Sequence, residues 1–308
     1  MVNNVFLSAG RGAVLQLSDI ITNALINHQK IQMIYDFDGT LFPFCDDPTQ
    51  VKLDEGCKSA LLALSQKENV QMTGLTGRDL GAAQTMMAGV NINIVGSHGA
   101  EFRSADGHIE KYPFTKDQLT HIQTAREAVD VLKNQFPELH IEANKYGSIG
   151  INLSRYAGQD DVRDAVFSVI GKYQNESFSI AYEGRKGDDL GWEIELRPAE
   201  HVCGKHIGIT HFIKPDRDIL TIFCGDSLGE HGTDTPAATL INDKQEFLNG
   251  IVVMVMNGRN KVPDVGSPQS PAFVMISPKA LGEQLTLALP KISPQQDFKP
   301  LCLDGMHP

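Results

Sequence analysis

The sequence lacks the features that mark membrane, secreted and nucleic-acid-binding proteins. It has no apolar run long enough to cross a membrane, and its N-terminal stretch has no basic start as in an export signal. Its 5 cysteines are scattered without a CxxC pair, which favours free thiols in a reducing cytoplasm. The net charge of -11 provides no basic footprint for nucleic acid. We therefore expect a cytoplasmic monomer or small homo-oligomer with no membrane or nucleic-acid partner.

Short apolar runs that end in polar loops are present near both ends of the chain. They cover residues 31–35, 70–75, 92–95, 219–224 and 251–256. Helical spacing separates the first three runs, at 55–68 and 80–87. This alternation predicts a doubly wound α/β fold with a parallel sheet, in which ligands bind beyond the carboxyl ends of the strands.

The pattern changes between about residues 112 and 196. Helical stretches at 116–135 and 160–173 are combined with alternating strands in LHIEA, SIGINLS, FSIAYE and WEIELRP, which predicts an inserted α+β cap domain. We expect an N-terminal helical segment at 1–29, a catalytic core at 30–111 and 198–290, the cap at 112–197, and a flexible tail at 291–308.

Two aspartates follow the apolar run at 31–35. Asp36 and Asp38 are two residues apart, so in an extended chain both carboxylates point the same way. Paired carboxylates repel one another unless a cation separates them, and Mg²⁺ prefers oxygen ligands. With a phosphate on that cation, Asp36 could attack phosphorus. Asp38 could then protonate the leaving oxygen and later activate water.

Four motifs, in this order, resemble those of the haloacid dehalogenase superfamily, whose core is Rossmann-like. YDFDGTLFP is similar to the first motif, GLT to the second, HVCGKHIG to the third and the GD after ILTIFC to the fourth. The resemblance implies that Asp36 is the nucleophile and Asp38 the acid and base. It also implies that Thr76 holds the phosphoryl group, that Lys205 offsets its charge, and that Asp226 binds magnesium.

The stretch between the second and third motifs narrows the resemblance. LFPFCDDP, TGR, GSHGAEFR and IELRP are similar to segments of the trehalose-6-phosphate phosphatases of this superfamily, in which the cap recognises the sugar. The resemblance implies substrate contacts from Gly77, Arg78, His98, Glu142, Lys145, Glu195 and Arg197. For His98 the alternative of a hydrogen-bonded turn residue between two glycines is the one we favour.

The fourth motif departs from the family's GDD pattern. Ser227 replaces the second aspartate, and a serine oxygen is a weaker metal ligand than a carboxylate. The next carboxylate is Glu230 if the register is kept, or Asp234 if four residues are inserted. We expect the Mg²⁺ ligands to be Asp36, the backbone carbonyl of Asp38, Asp226 and Glu230, and leave Ser227 and Asp234 open as alternatives.

Together these features predict a Mg²⁺-dependent phosphatase whose partner is a small sugar phosphate. The expected reaction is hydrolysis of trehalose 6-phosphate to trehalose and phosphate through an aspartyl-phosphate. One alternative is a phosphatase for another sugar phosphate, such as sucrose 6-phosphate, mannosyl-3-phosphoglycerate or a hexose phosphate. A second is a non-catalytic sugar-phosphate sensor, which only Ser227 supports.

Overall fold

A computed structural model describes most of the chain. The described residues are 5–6, 16–43, 51–142, 144–156, 158–183, 193–213, 215–229, 232–243, 249–257, 271–275 and 277–289. None of the helices within these ranges combines the length and apolar character needed to span a membrane. The predicted flexible tail lies outside the described residues.

Two β-sheets with their helices form the described part of the chain. The strands are β1 (Val5–Phe6), β2 (Ile31–Asp36), β3 (Val70–Leu75), β4 (Asn93–Gly96), β5 (Glu101–Arg103), β6 (Ile109–Lys111), β7 (His140–Glu142), β8 (Ile149–Asn152), β9 (Phe178–Glu183), β10 (Glu193–Pro198), β11 (Leu220–Gly225), β12 (Gly250–Val255) and β13 (Phe273–Met275). The helices are α1 (Leu17–Ile26), α2 (Glu55–Ser65), α3 (Leu80–Met86), α4 (Lys116–Leu132), α5 (Asp160–Ile170), α6 (Lys205–Phe212), α7 (Thr235–Asn242) and α8 (Pro278–Ala288).

The larger sheet has a parallel centre and antiparallel edges. Its order is β1-β13-β12-β11-β2-β3-β4-β5-β6, and the six strands from β13 to β4 run parallel. Alternate side chains of β11 enter different apolar layers. Ile222 and Cys224 pack with residues of α1, α2, α3 and α8, whereas Phe223 packs with residues of α6 and α7. Helices therefore cover both faces, which confirms the predicted doubly wound α/β fold.

The smaller sheet is antiparallel, in the order β7-β8-β10-β9. Ile151 on β8 and Ile194 on β10 point into one apolar core with α4 and α5. Because side chains alternate along a strand, Glu193 and Glu195 lie on the opposite face of β10. One face of the cap sheet is therefore apolar and packs against α4 and α5. The opposite face carries polar side chains.

Most of the predicted elements are found close to their expected positions. The helix predicted at 116–135 ends at Leu132, and the one predicted at 55–68 ends at Ser65. The hairpin of β5 and β6 and the two-residue strand β1 were not predicted. The two sheets follow the predicted order of core, insertion and core, and the boundaries given above remain a proposal.

Candidate active site

Two acids that were predicted as metal ligands lie at the carboxyl ends of neighbouring strands. Asp36 ends β2 and Asp226 directly follows β11, which pairs in parallel with β2. Side chains at the carboxyl ends of parallel strands share one edge of the sheet, where α/β proteins bind ligands. Both aspartates are buried, with 4% and 6% of their surface exposed. Strand pairing therefore brings together two acids that are far apart in the sequence.

Lys205, the first residue of α6, contacts two acids at this edge. Its Nζ lies 2.6 Å from Oδ1 of Asp36 and 2.8 Å from Oδ1 of Asp234. Burial alone lowers the pKa of Lys205, but the two carboxylates outweigh this effect and hold the pKa above its ordinary value. Lys205 is therefore a fixed positive charge between Asp36 and Asp234.

Hydrogen bonds orient Asp234 and Asp226 toward each other. Oδ2 of Asp234 accepts the backbone N–H groups of Asp226 and Ser227, both at 3.1 Å. Asn257 donates its amide N–H to Oδ2 of Asp226, and the Thr40 hydroxyl donates to Oδ1 at 3.4 Å. Asp234, one of the alternatives that the sequence left open, thus lies within the carboxylate cluster, and its role as a metal ligand stays a prediction.

Gly39, inside the first motif, leaves the space that Asp226 occupies. Its φ is +87°, in the left-handed region that favours glycine. A Cβ built at Gly39 would lie 2.5 Å from Oδ2 of Asp226 and 2.8 Å from Nδ2 of Asn257. A side chain at this position would therefore displace the Asp226 carboxylate.

The three buried carboxylates fit a metal ion. Asp36, Asp226 and Asp234 each offer one oxygen, and these oxygens lie within 4.8 Å of one another. Burial, together with repulsion from Asp234, raises the pKa of Asp36 to about 7 although Lys205 opposes the shift. Burial and repulsion from Asp36 also raise the pKa of Asp226. A hard divalent cation prefers such oxygen ligands. It would relieve the repulsion among the three carboxylates that the single charge of Lys205 does not balance.

Asp38 lies beside the carboxylate cluster and is paired with Arg78. The Arg78 Nε lies 2.7 Å from Oδ2 of Asp38, and a terminal nitrogen lies 2.8 Å from Oδ1. This two-bond geometry fixes the orientation of the carboxylate. The backbone N–H of Arg78 donates to the Thr76 hydroxyl at 3.1 Å. Asp38, Thr76 and Arg78 therefore form one polar surface next to Asp36.

His98 lies in a tight turn at the end of β4, as the favoured interpretation of its position predicts. Its φ is +54°, and its backbone N–H donates to the Thr76 carbonyl at 3.1 Å. The side chain also crosses to the cap, where Nε2 lies 2.7 Å from Oε2 of Glu195. The ring occupies the space that a Cβ on Gly77 would need. Gly77 therefore lies beneath the His98 ring.

The candidate sugar contacts lie together on the polar face of the cap. Lys145 contacts Glu142, and its Nζ lies 3.0 Å from Oε1 of Glu195 and 3.6 Å from Oε1 of Glu193. Burial raises the pKa of Glu195, but His98, Lys145 and Arg197 lower it by more, so that it falls below its ordinary range. Burial lowers the pKa of Arg78, but Asp38, with smaller contributions from the cap residues Glu142 and Glu193, raises it above its ordinary value.

The Ser227 side chain of the fourth motif bonds within its own loop. The Ser227 hydroxyl accepts the backbone N–H of Thr233 at 3.2 Å, so it stabilises the loop between β11 and α7. Glu230, predicted as a metal ligand, lies outside the described residues.

The sequence interpretation missed Asn257 and Glu101. Asn257 follows β12, and its position beyond a strand of the parallel sheet was a usable signal. Buried Glu101 accepts the Ser97 hydroxyl at 2.8 Å and thereby supports the turn that carries His98. Glu101 belongs to the segment GSHGAEFR, of which the sequence analysis singled out only His98.

Comparisons with known proteins agree with this arrangement. The family model of trehalose-phosphatase matches residues 34–179. A trehalose-phosphate phosphatase of Mycolicibacterium paratuberculosis is 27% identical over 203 residues, which are 64% of this chain and 48% of that protein. The chain thus spans about half the length of this curated relative.

Solved structures show the same fold. The C-terminal domain of trehalose-6-phosphate phosphatase from C. albicans has a TM-score of 0.62 at 16% identity, covering 91% of this chain and 99% of that domain. The C-terminal domain of a trehalose synthase regulatory protein from Candida albicans has a TM-score of 0.56 at 12% identity, covering 90% and 99%. In sequence and in fold, the chain is therefore similar to the trehalose-phosphatases.

Proposed function

We propose that this protein is a Mg²⁺-dependent phosphatase that hydrolyses trehalose 6-phosphate. The observation that carries the proposal is the buried group of Asp36, Asp226 and Asp234 around Lys205 at the carboxyl edge of the sheet. An assembly with three acids and one cation is costly to bury unless it binds a further cation. A phosphatase needs that cation and a nucleophile side by side.

In this proposal Asp36 is the nucleophile. Its carboxylate lies at the strand end, and Lys205 contacts only Oδ1 in the described hydrogen bonds, so Oδ2 is the candidate attacking atom. Attack on phosphorus forms an aspartyl-phosphate and releases the sugar oxygen. Lys205 and the Thr76 hydroxyl stabilise the charge on the phosphoryl oxygens. A bound Mg²⁺ would neutralise the negative charge of the phosphate and of the acids that hold it.

Asp38 is the proposed general acid and base. It protonates the departing sugar oxygen to a hydroxyl and later removes a proton from the water that hydrolyses the aspartyl-phosphate. Arg78 holds the Asp38 carboxylate through two hydrogen bonds, so we assign Arg78 to orienting Asp38. Arg78 also faces the cap carboxylates, and a sugar phosphate that enters between the two sheets would pass beside it.

Trehalose 6-phosphate is the proposed substrate because of the cap and the relatives. Glu142, Lys145, Glu193 and Arg197 give the polar face of the cap both donors and acceptors, as recognition of sugar hydroxyls requires. The family model and the curated relative are named for trehalose-phosphatase. Sucrose 6-phosphate, mannosyl-3-phosphoglycerate and hexose phosphates need the same chemistry with a different cap.

A phosphate-release assay on these four kinds of substrate, in magnesium and in EDTA, tests the proposal. We expect trehalose 6-phosphate to be preferred by about a hundredfold in kcat/KM, or about 2.7 kcal/mol of transition-state binding. Faster hydrolysis of another sugar phosphate would keep the chemistry and change the substrate.

An absence of hydrolysis with all four would support the sensor. The fold alone does not separate the two functions, because the similar Candida albicans domain is from a protein described as regulatory. Asp36→Asn is the matched control for turnover, since it keeps the shape of the side chain and removes the nucleophile.

A further inference from the structure

The turn that follows β4 has an unusual backbone. Ser97 and His98 are consecutive residues with left-handed φ values of +48° and +54°. Residues other than glycine adopt this region at a cost and keep it only where the surroundings hold them there. Contacts on all sides of the turn are therefore needed to maintain it.

Contacts with the catalytic core hold one side of the turn. The backbone N–H of His98 donates to Thr76, and that of Ser97 donates to Arg78 at 2.7 Å. Gly99 lies so close to the carbonyl oxygen of Gly204 that a Cβ at Gly99 would overlap it. Gly204 directly precedes Lys205. The position of the turn is thus linked to both loops that carry the proposed phosphate-binding groups.

Contacts with the cap hold the other side. His98 Nε2 meets Oε2 of Glu195 at 2.7 Å, and only 12% and 7% of the two side chains is exposed. The backbone N–H of Tyr146, in the loop between β7 and β8, donates to the Ser97 hydroxyl at 3.3 Å. Separation of the cap would break both contacts and remove the support from this side.

We propose that His98 is a positioning residue that couples docking of the cap to the placement of Thr76 and Lys205. Both His98 Nε2 and the Glu195 oxygen that it meets are engaged with each other, so neither is free for the sugar while the cap is docked. His98 acts through Glu195 on one side and through the backbone of the turn on the other. The inference rests on the proposed function only for its kinetic readout.

Hydrogen–deuterium exchange of the substrate-free protein provides a readout that does not depend on activity. His98→Ala removes the contact with Glu195. Gly77→Ala leaves both partners intact but places a methyl group where the His98 ring lies, and Gly77 does not have the positive φ that would strain an alanine. We expect both variants to speed exchange about tenfold or more in residues 93–99, 140–152 and 204–209, because local opening becomes easier.

Two further variants separate positioning from general destabilisation. His98→Gln retains a side-chain amide that can donate to Glu195, and we expect it to restore most of the protection. His108→Ala is the matched control, since the His108 ring also meets a glutamate, at 3.4 Å from Glu110, but on the exposed β5–β6 hairpin. We expect exchange in the three segments to remain as in the wild type for His108→Ala.

Steady-state kinetics with a sugar phosphate that the wild-type protein hydrolyses complete the test. We expect His98→Ala and Gly77→Ala to lower kcat about tenfold or more with a smaller change in KM, because they misplace Thr76 and Lys205. Wild-type exchange at 204–209 in both variants would overturn the proposal. A rise in KM at unchanged kcat would also overturn it and make His98 a substrate contact. If the protein hydrolyses no sugar phosphate, the kinetic comparison cannot be made. The exchange experiment still tests the coupling, because it does not depend on turnover.

Discussion

Replacement of Asp234 by asparagine tests whether this residue completes the metal site. The change keeps the side chain's size and removes one of the three negative charges of the cluster. Two unit charges roughly 4 Å apart attract by about 4 kcal/mol at an effective dielectric constant near 20, and a divalent cation doubles this value. Desolvation and the contact with Lys205 offset much of the attraction. We expect the affinity for Mg²⁺ to fall at least about tenfold, equivalent to ~1.4 kcal/mol.

Calorimetric titration with MgCl₂ and with MnCl₂ measures this change directly. Thermal unfolding gives a second readout, because a ligand at about 100 times its Kd stabilises the folded state by ~2.7 kcal/mol. Magnesium should therefore raise the unfolding temperature of the wild type more than that of Asp234→Asn. Asp216→Asn is the matched control, since Asp216 is exposed in the loop before β11. It should bind magnesium as the wild type does.

The competing ligand is Glu230, which the register of the fourth motif favours. Wild-type affinity in Asp234→Asn, together with a large loss in Glu230→Gln, would refute the role of Asp234. Circular dichroism of both variants establishes that the fold is retained. Asp234→Asn also weakens the hold on Lys205, whose Nζ then contacts Asp36 alone among the described acids. The resulting loss of stability is measured by thermal unfolding without magnesium. It is then subtracted from the change in unfolding that is measured with magnesium.

Three other substitutions follow from the same contacts. Asp36→Asn should abolish phosphate release without lowering the unfolding temperature, because it removes a buried charge whose pKa is raised to about 7; retained turnover would contradict the nucleophile. Lys205→Met should cost about 3–5 kcal/mol in urea unfolding without magnesium, because buried acids lose their cation; an unchanged midpoint would contradict the pairing. Gly150→Ala places a methyl group against the Glu142 carboxylate and 3.0 Å from Nζ of Lys145, and it should raise KM more than it lowers kcat. Gly171→Ala, with open space around it, is the control and should have wild-type kinetics.

The parallel part of the fold was predictable because burial leaves a simple trace in the sequence. Strands covered by helices on both faces are short apolar runs, and β2 and β3 show this trace clearly. The polar residues that follow such runs then share one edge of the sheet. Asp36 was found in this way, whereas Thr76 and Asp226 were identified by their resemblance to family motifs, and all three follow strands of the parallel sheet.

Other elements left no such trace. The strands of the β5–β6 hairpin have three residues each, and β6 is exposed along its length, so no apolar run marks them. Strand β1 has two residues and exists through its pairing with β13. The contact between His98 and Glu195 joins two sheets, and no local pattern predicts how separate sheets face each other. These features depend on tertiary packing.

The change at Ser227 is a local departure from the family pattern, and we propose that Asp234 supplies the missing acid. Asp234 is eight residues after Asp226 in the sequence, and its carboxylate accepts the backbone N–H groups of Asp226 and Ser227. The Ser227 hydroxyl supports the same loop by accepting the N–H of Thr233. The serine therefore stabilises the segment that delivers the distant carboxylate. Because Asp234 is fully buried against Lys205, this proposal shifts the position of the acid along the chain and retains its charge in the cluster.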